Sequence, residues 1–247
     1  MQAKEYGTQH RETILLLHGG GLSWWNYREA AELLCQQYHV ILPILDGHTG
    51  SDAPFTTIEQ NAREIIAWID EHCGGRVLLM GGLSLGGQVL VEILTQRPEI
   101  CRYAVIESAL VFPMRYTHAL IRPTYGLCYP LVQKRWFARW QSRSLHIKPE
   151  LFEEYFRDTA GISKQDMIAF LEANANVRLK DDFSSCQANT LVVAGSRELP
   201  IMKRSAKAIA RALPCAKLEM IPGYAHGELS LNHAQQYADK LLALMKA

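Results

Sequence analysis

Gly82-Leu83-Ser84-Leu85-Gly86-Gly87 places a serine between glycines two residues to either side. An apolar run at residues 77–80 precedes it, and Val89, Leu90, Ile93 and Leu94 follow at helical spacing. The serine therefore falls on a tight strand-to-helix turn. Such a turn strains the serine backbone, projects the hydroxyl at the strand's carboxyl end, and adds the amides and dipole of the next helix. A glycine-rich turn that merely contains a serine would need neither the strand nor the helix. Because a serine hydroxyl is a weak nucleophile at neutral pH, a base must take its proton and a third group must orient that base.

The later sequence offers both. Pro222-Gly223-Tyr224-Ala225-His226-Gly227 carries a loop histidine after the last apolar run, and Gly195-Ser196-Arg197-Glu198 carries a carboxylate after the run before it. The order Ser84, Glu198, His226 is the nucleophile–acid–base order of hydroxyl triads built on such turns. A competing acid is Glu107, which ends an earlier run beside Ser108. Acyl transfer also needs donors aimed at a developing oxyanion, each worth roughly 3–4 kcal/mol. His18-Gly19-Gly20-Gly21 closes the first apolar run, so the N–H groups of Gly20 and Leu85 are the expected pair, with His18 supporting the loop from below.

The elements that must hold these residues are legible in the spacing. Short apolar runs at residues 13–17, 40–42, 77–80, 104–106, 190–194 and 218–221 alternate with 3.6-residue patterns, which predicts a mainly parallel, doubly wound α/β sheet covered on both faces. The alternation breaks between residues 109 and 180, an inserted helical lid on an α/β core made of residues 1–108 and 181–247. The insertion holds 11 of the 22 aromatic residues and sums to +5, while the remainder sums to −4. Ser163 with Asp166 reads as a capping box within it. Trp136, Phe137, Trp140 and their aromatic neighbours are candidates to line an apolar acyl pocket, or else simply to pack the lid onto the core.

Lys plus Arg (26) and Asp plus Glu (25) nearly cancel, so no whole-molecule field favours nucleic acid or a membrane surface, and a small-molecule acyl substrate is the expected partner. Six scattered cysteines lack zinc-site spacing and read as buried free thiols. No metal and no organic cofactor is expected. The polar first residues and the absence of a long apolar stretch predict a cytoplasmic chain.

These residues together resemble the α/β-hydrolase superfamily, from about Thr13 onward. His18 to Gly21 with Ser23 and Trp25 looks like its oxyanion loop, and Asp46-Gly47-His48-Thr49-Gly50-Ser51 looks like its Gly-His-Gly-x-Ser turn, with Thr49 replacing glycine. The resemblance implies a helical cap between the family's sixth and seventh strands, where residues 109–180 fall. Two departures stand out: the acid is Glu where Asp is commoner, and the family's first two strands are compressed into the residues before Thr13. The function implied is a serine hydrolase of ester, thioester or related acyl bonds. Two alternatives are a non-hydrolytic lyase or perhydrolase of the same fold, and a ligand-binding receptor or pseudoenzyme. Gln88 stands where the superfamily's menaquinone-pathway lyase carries arginine, which disfavours that lyase.

Overall fold

The structure is a computed structural model and describes residues 1–246. Thr13–Leu17 (β2) is buried at every position, as a central parallel strand must be when helices cover both faces of its sheet. Around it stand His39–Pro43 (β3), Val77–Leu83 (β4), Cys101–Glu107 (β5), Asn189–Gly195 (β6) and Ala216–Ile221 (β7). All run parallel. Ala3–Tyr6 (β1) pairs antiparallel with β3, and the sheet order is β1-β3-β2-β4-β5-β6-β7. The compressed N-terminus expected from the sequence is thus one short antiparallel edge strand.

Alternation along β2 divides the core. Leu15 and Leu17 join one apolar cluster with the helices Ile58–His72 (α2), Leu85–Gln96 (α3) and Pro200–Ala212 (α8). Ile14 and Leu16 join another with Arg28–Leu34 (α1) and Ala234–Lys246 (α10). Local chemistry sets where helices start. The Thr57 hydroxyl caps α2 by accepting from Gln60 N–H at 3.0 Å, and α8 opens on Pro200, whose missing N–H costs nothing in a first turn.

Between β5 and β6 the chain forms Arg115–Val132 (α4), Arg135–Ser144 (α5), Phe152–Gly161 (α6) and Lys164–Asn176 (α7). Half of the capping box expected for the last of these is present: Asp166 N–H donates to Ser163 Oγ at 3.0 Å, while the Asp166 carboxylate accepts from the Ser163 hydroxyl at 2.6 Å and from Phe55 N–H at 2.8 Å rather than from the Ser163 amide. Residues 228–232 form a short helix, α9, after β7. The thiols are a correction. Only Cys101 and Cys186 are buried, while Cys128 and Cys215 lie exposed, because scattered cysteines follow the burial of their elements rather than a shared role.

Candidate active site

Ser84 sits between β4 and α3 with φ 53 and ψ −112, a strained conformation for a residue with a side chain. The turn is tight because its glycines leave no room for anything else: a Cβ on Gly82 would stand 2.4 Å from Gly86 O, and one on Gly86 would stand 2.2 Å from Leu17 O. Ser84 N–H donates to Glu107 O at 2.9 Å, so the neighbouring strand end holds the turn.

The three residues singled out from distant parts of the sequence meet in one hydrogen-bonded line. His226 Nε2 lies 3.0 Å from Ser84 Oγ, and Nδ1 lies 3.0 Å from Glu198 Oε2. With Nδ1–H donating to the carboxylate, Nε2 is left to accept the serine hydroxyl. The Glu198 side chain is fully buried, and its second oxygen, Oε1, accepts from Gly195 N–H at 2.6 Å and Ser108 Oγ–H at 2.8 Å. Burial works to raise this carboxyl. The His226 bond and charge, the Gly195 amide and the Ser108 hydroxyl outweigh it and hold Glu198 below the usual carboxylate range.

Glu107, the competing acid, is equally buried but turns elsewhere. Its Oε1 accepts from Ser230 N–H at 3.3 Å, and Oε2 has no partner. Burial raises its carboxyl to about 7. Ser108 is the residue that sequence reasoning noticed only as a neighbour. At φ 53 it shares the strain of Ser84, and its hydroxyl both donates to Glu198 and accepts from Gly227 N–H at 3.3 Å. The signal was present in its position: Glu107-Ser108 ends the strand that lies between the strands preceding Ser84 and Glu198.

Leu85 N–H is the first amide of α3 and has no acceptor within the helix, and the His18–Gly21 segment runs beside it, with the Gly20 Cα facing the Leu85 side chain. Two buried imidazoles support that segment. His18 Nε2 accepts from Leu45 N–H at 3.1 Å and its Nδ1–H donates to Gly19 O at 2.9 Å, while His48 Nε2 accepts from Gly21 N–H at 3.0 Å. Burial, reinforced by the His48 ring, pushes His18 down to about 3, and burial pushes His48 to about 4, so both are neutral props. The turn at Asp46–Ser51 thereby acquires a role that its resemblance alone did not specify.

Helices α6 and α7 close over this segment. Thr159 Oγ1–H donates to Gly21 O at 3.0 Å, Trp25 Nε1–H donates to Asp158 Oδ2 at 2.8 Å, and the Phe170 ring stacks on His48 at 4.8 Å and abuts Gly20. The expectation for the aromatics is corrected in part: Phe112, Tyr125, Tyr129 and Phe137 pack against the core, as one of its two alternatives had it. Tyr116, Trp136 and Trp140 stand out in solvent, because the faces of α4 and α5 that carry them lie opposite the residues those helices bury. Phe170, which the sequence did not single out, is the ring beside the His18–Gly21 segment. Gln88 is spent on structure: its Nε2 donates to Leu110 O at 2.9 Å and Asn174 O at 3.1 Å. Among the described residues no group of three or more His, Cys, Asp or Glu could hold a metal ion, and no helix is long and apolar enough to cross a membrane.

A mainly parallel sheet with a strained serine after a central strand, and a histidine and a carboxylate after the last two, defines a class of α/β proteins. The chain belongs to the Alpha/beta hydrolase family, whose sequence model matches residues 14–240. It is 25% identical over 138 residues to the uncharacterized hydrolase YugF of Bacillus subtilis, covering 55% of this chain and 50% of that protein. It is 26% identical over 190 residues to an AB hydrolase superfamily protein of Gibberella zeae, covering 75% of this chain and 61% of that one. These matches span about half to three-fifths of the relatives' length. In fold it is similar to an esterase from Thermogutta terrifontis, with a TM-score of 0.79 at 18% identity over 99% of this chain and 93% of the other.

Proposed function

We propose that this chain is a serine hydrolase that cleaves ester, thioester or related acyl bonds of small molecules, with Ser84 as nucleophile, His226 as general base and acid, and Glu198 as the orienting carboxylate. The observation that carries the reading is the unbroken line from Ser84 Oγ through His226 to Glu198, with 3.0 Å at each step. In the first half-reaction His226 Nε2 takes the serine proton as Oγ bonds to the acyl carbon. The carbonyl oxygen gains negative charge and is met by the N–H groups of Gly20 and Leu85. His226 then gives its proton to the leaving alcohol or thiol, which departs and leaves an acyl-serine. Water, deprotonated by the same nitrogen, attacks that ester, the carboxylic acid leaves, and the proton returns to Ser84. Glu198, held charged by three donors, stabilises the imidazolium in both halves. The engagement of Gln88 with backbone carbonyls supports hydrolysis over the lyase alternative, since it offers no side-chain cation beside the nucleophile.

The test is labelling with a fluorophosphonate, followed by peptide mapping, alongside turnover of a short activated ester. Labelling at Ser84 and loss of both signals in Ser84→Ala are expected. Labelling at a different serine, or an unlabelled but folded wild type, would overturn the assignment.

A further inference from the structure

On α4 the inward side is marked by Ile121 and Val132, which are buried, with Tyr125 and Tyr129 packed against the core. Tyr116, Leu120, Pro123 and Leu127, spaced four, three and four apart, occupy the opposite side. Tyr116 is 90% exposed, Leu120 62% and Leu127 82%. On α5, Ala138 and Ser142 are buried, and Trp136 and Trp140, one turn apart, are 66% and 63% exposed. The outward sides of these two helices hold five of the nine large apolar side chains that stand exposed among the described residues. Apolar exposure on this scale along two consecutive helices marks an interaction surface.

The charge around it narrows the partner. From Ser108 to Pro149 the sequence contains no Asp or Glu and carries seven cations, five of them arginines. Glu172 and Glu153 reach in from α7 and α6 to pair with Arg122 and Arg135, and Glu29 pairs with Lys148. Arg115, Lys134, Arg139 and Arg143 have no carboxylate partner among the described residues. A cleft of about 320 Å³ runs among Arg135, Trp136, Arg139, Trp140 and Arg143, setting guanidiniums beside indoles.

We propose that the outer face of α4 and α5 docks on an anionic phospholipid surface, with the indoles, Tyr116 and the leucines at the headgroup–acyl boundary and the free arginines against lipid phosphates. Indoles and tyrosine favour that boundary, and cations beside an apolar face are the pattern of helices that lie in it. A nucleic acid would use the cations but has no place for Leu120, Pro123 and Leu127. A second copy of the chain would set this cation-rich face against itself or against a sheet edge that it does not match. The whole-chain charge of +1 conceals the patch because the remainder is net negative. No residue of this face belongs to the Ser84–His226–Glu198 line.

The experiment is cosedimentation of the full chain with sucrose-loaded vesicles, of phosphatidylcholine alone or with about one-third phosphatidylglycerol, with light scattering in parallel. Binding to the anionic vesicles is expected, at least about tenfold tighter than to the neutral ones and weakening as salt rises. Trp136→Ser/Trp140→Ser and Arg139→Glu/Arg143→Glu should each lose about tenfold or more, whereas Leu33→Ser, an exposed apolar change on α1, should lose nothing. No binding, or binding that ignores both double variants, would overturn the proposal. So would a dimer that Trp136→Ser/Trp140→Ser dissociates, or preference for a DNA duplex over the vesicles.

Discussion

Helices α6 and α7 are tied to the loops at the strand ends through Asp158, Thr159 and Asp166, and they bury Phe152, Tyr155 and Phe170. Helices α4 and α5 carry more aromatic residues in the same insertion, yet hold Tyr116, Trp136 and Trp140 out in solvent. The difference is one of obligations. In the inner pair Asp158, Thr159 and Asp166 each hold a partner on those loops whose loss would strand a polar neighbour. Side chains on the outer pair's exposed face can change with little cost to folding, so what they are there for must be sought outside the fold.

Substitutions separate the two regions, the largest effect coming first. Ser84→Ala should cut kcat roughly 10,000-fold or more on any ester while leaving the melting temperature close to wild type, since only the reacting oxygen is removed. Glu198→Gln should lose roughly 1,000-fold or more, because the amide cannot stabilise the His226 imidazolium. Steady-state kinetics should then show Glu107→Gln within about tenfold of wild type. The opposite ranking would move the acid to β5. Ser108→Ala removes one bond to the Glu198 carboxylate and one to Gly227, and is expected to lower kcat by about ten- to a hundredfold with KM nearly constant.

Glu107→Gln has a second readout. Burial raises the folded-state Glu107 carboxyl to about 7 from 4.5, so its stabilising contribution is fully present below 4.5 and is lost as the pH rises through 7. Glutamine has no proton to lose. The stability of the variant relative to wild type should therefore rise by about 3 kcal/mol between roughly pH 4 and pH 8, measured by denaturant titration. The smallest effects belong to the helices. Phe170→Leu should shift relative kcat/KM among acyl chain lengths by about tenfold, whereas Trp136→Ala should move it by less than about twofold. Equal shifts would erase the distinction between inner and outer pairs.

Much of the site could be read before folding. Ser84, His226 and Glu198 each follow an apolar run, and open α/β sheets gather such strand ends at one edge, so chain order and local spacing carried all three. Chain order favoured Glu198 over Glu107 without excluding the latter. Glu107 ends β5 and Glu198 follows β6, both are buried, and only the direction of each side chain puts one carboxylate on His226 and the other on Ser230. The antiparallel β1 was expected only through the resemblance, without bounds, because Ala3–Tyr6 is an edge strand, only partly buried, and shows no apolar run.

By itself the sequence determined the sheet's parallel core, the strained serine turn and the region where an insertion interrupts the alternation, because each is a local pattern of apolar spacing, glycine and caps. Which way the side chains of that insertion face was decided only in three dimensions. Helical periodicity says that residues such as Tyr125 and Leu127 lie on different sides, but not which side meets the core. That choice follows from contacts with segments far away in the chain: Phe170 against His48 and Gly20, and Thr159 against Gly21. The same distance in sequence kept Ser108 out of sight, since its two bonds reach 90 and 119 residues along the chain to the acid and the histidine loop.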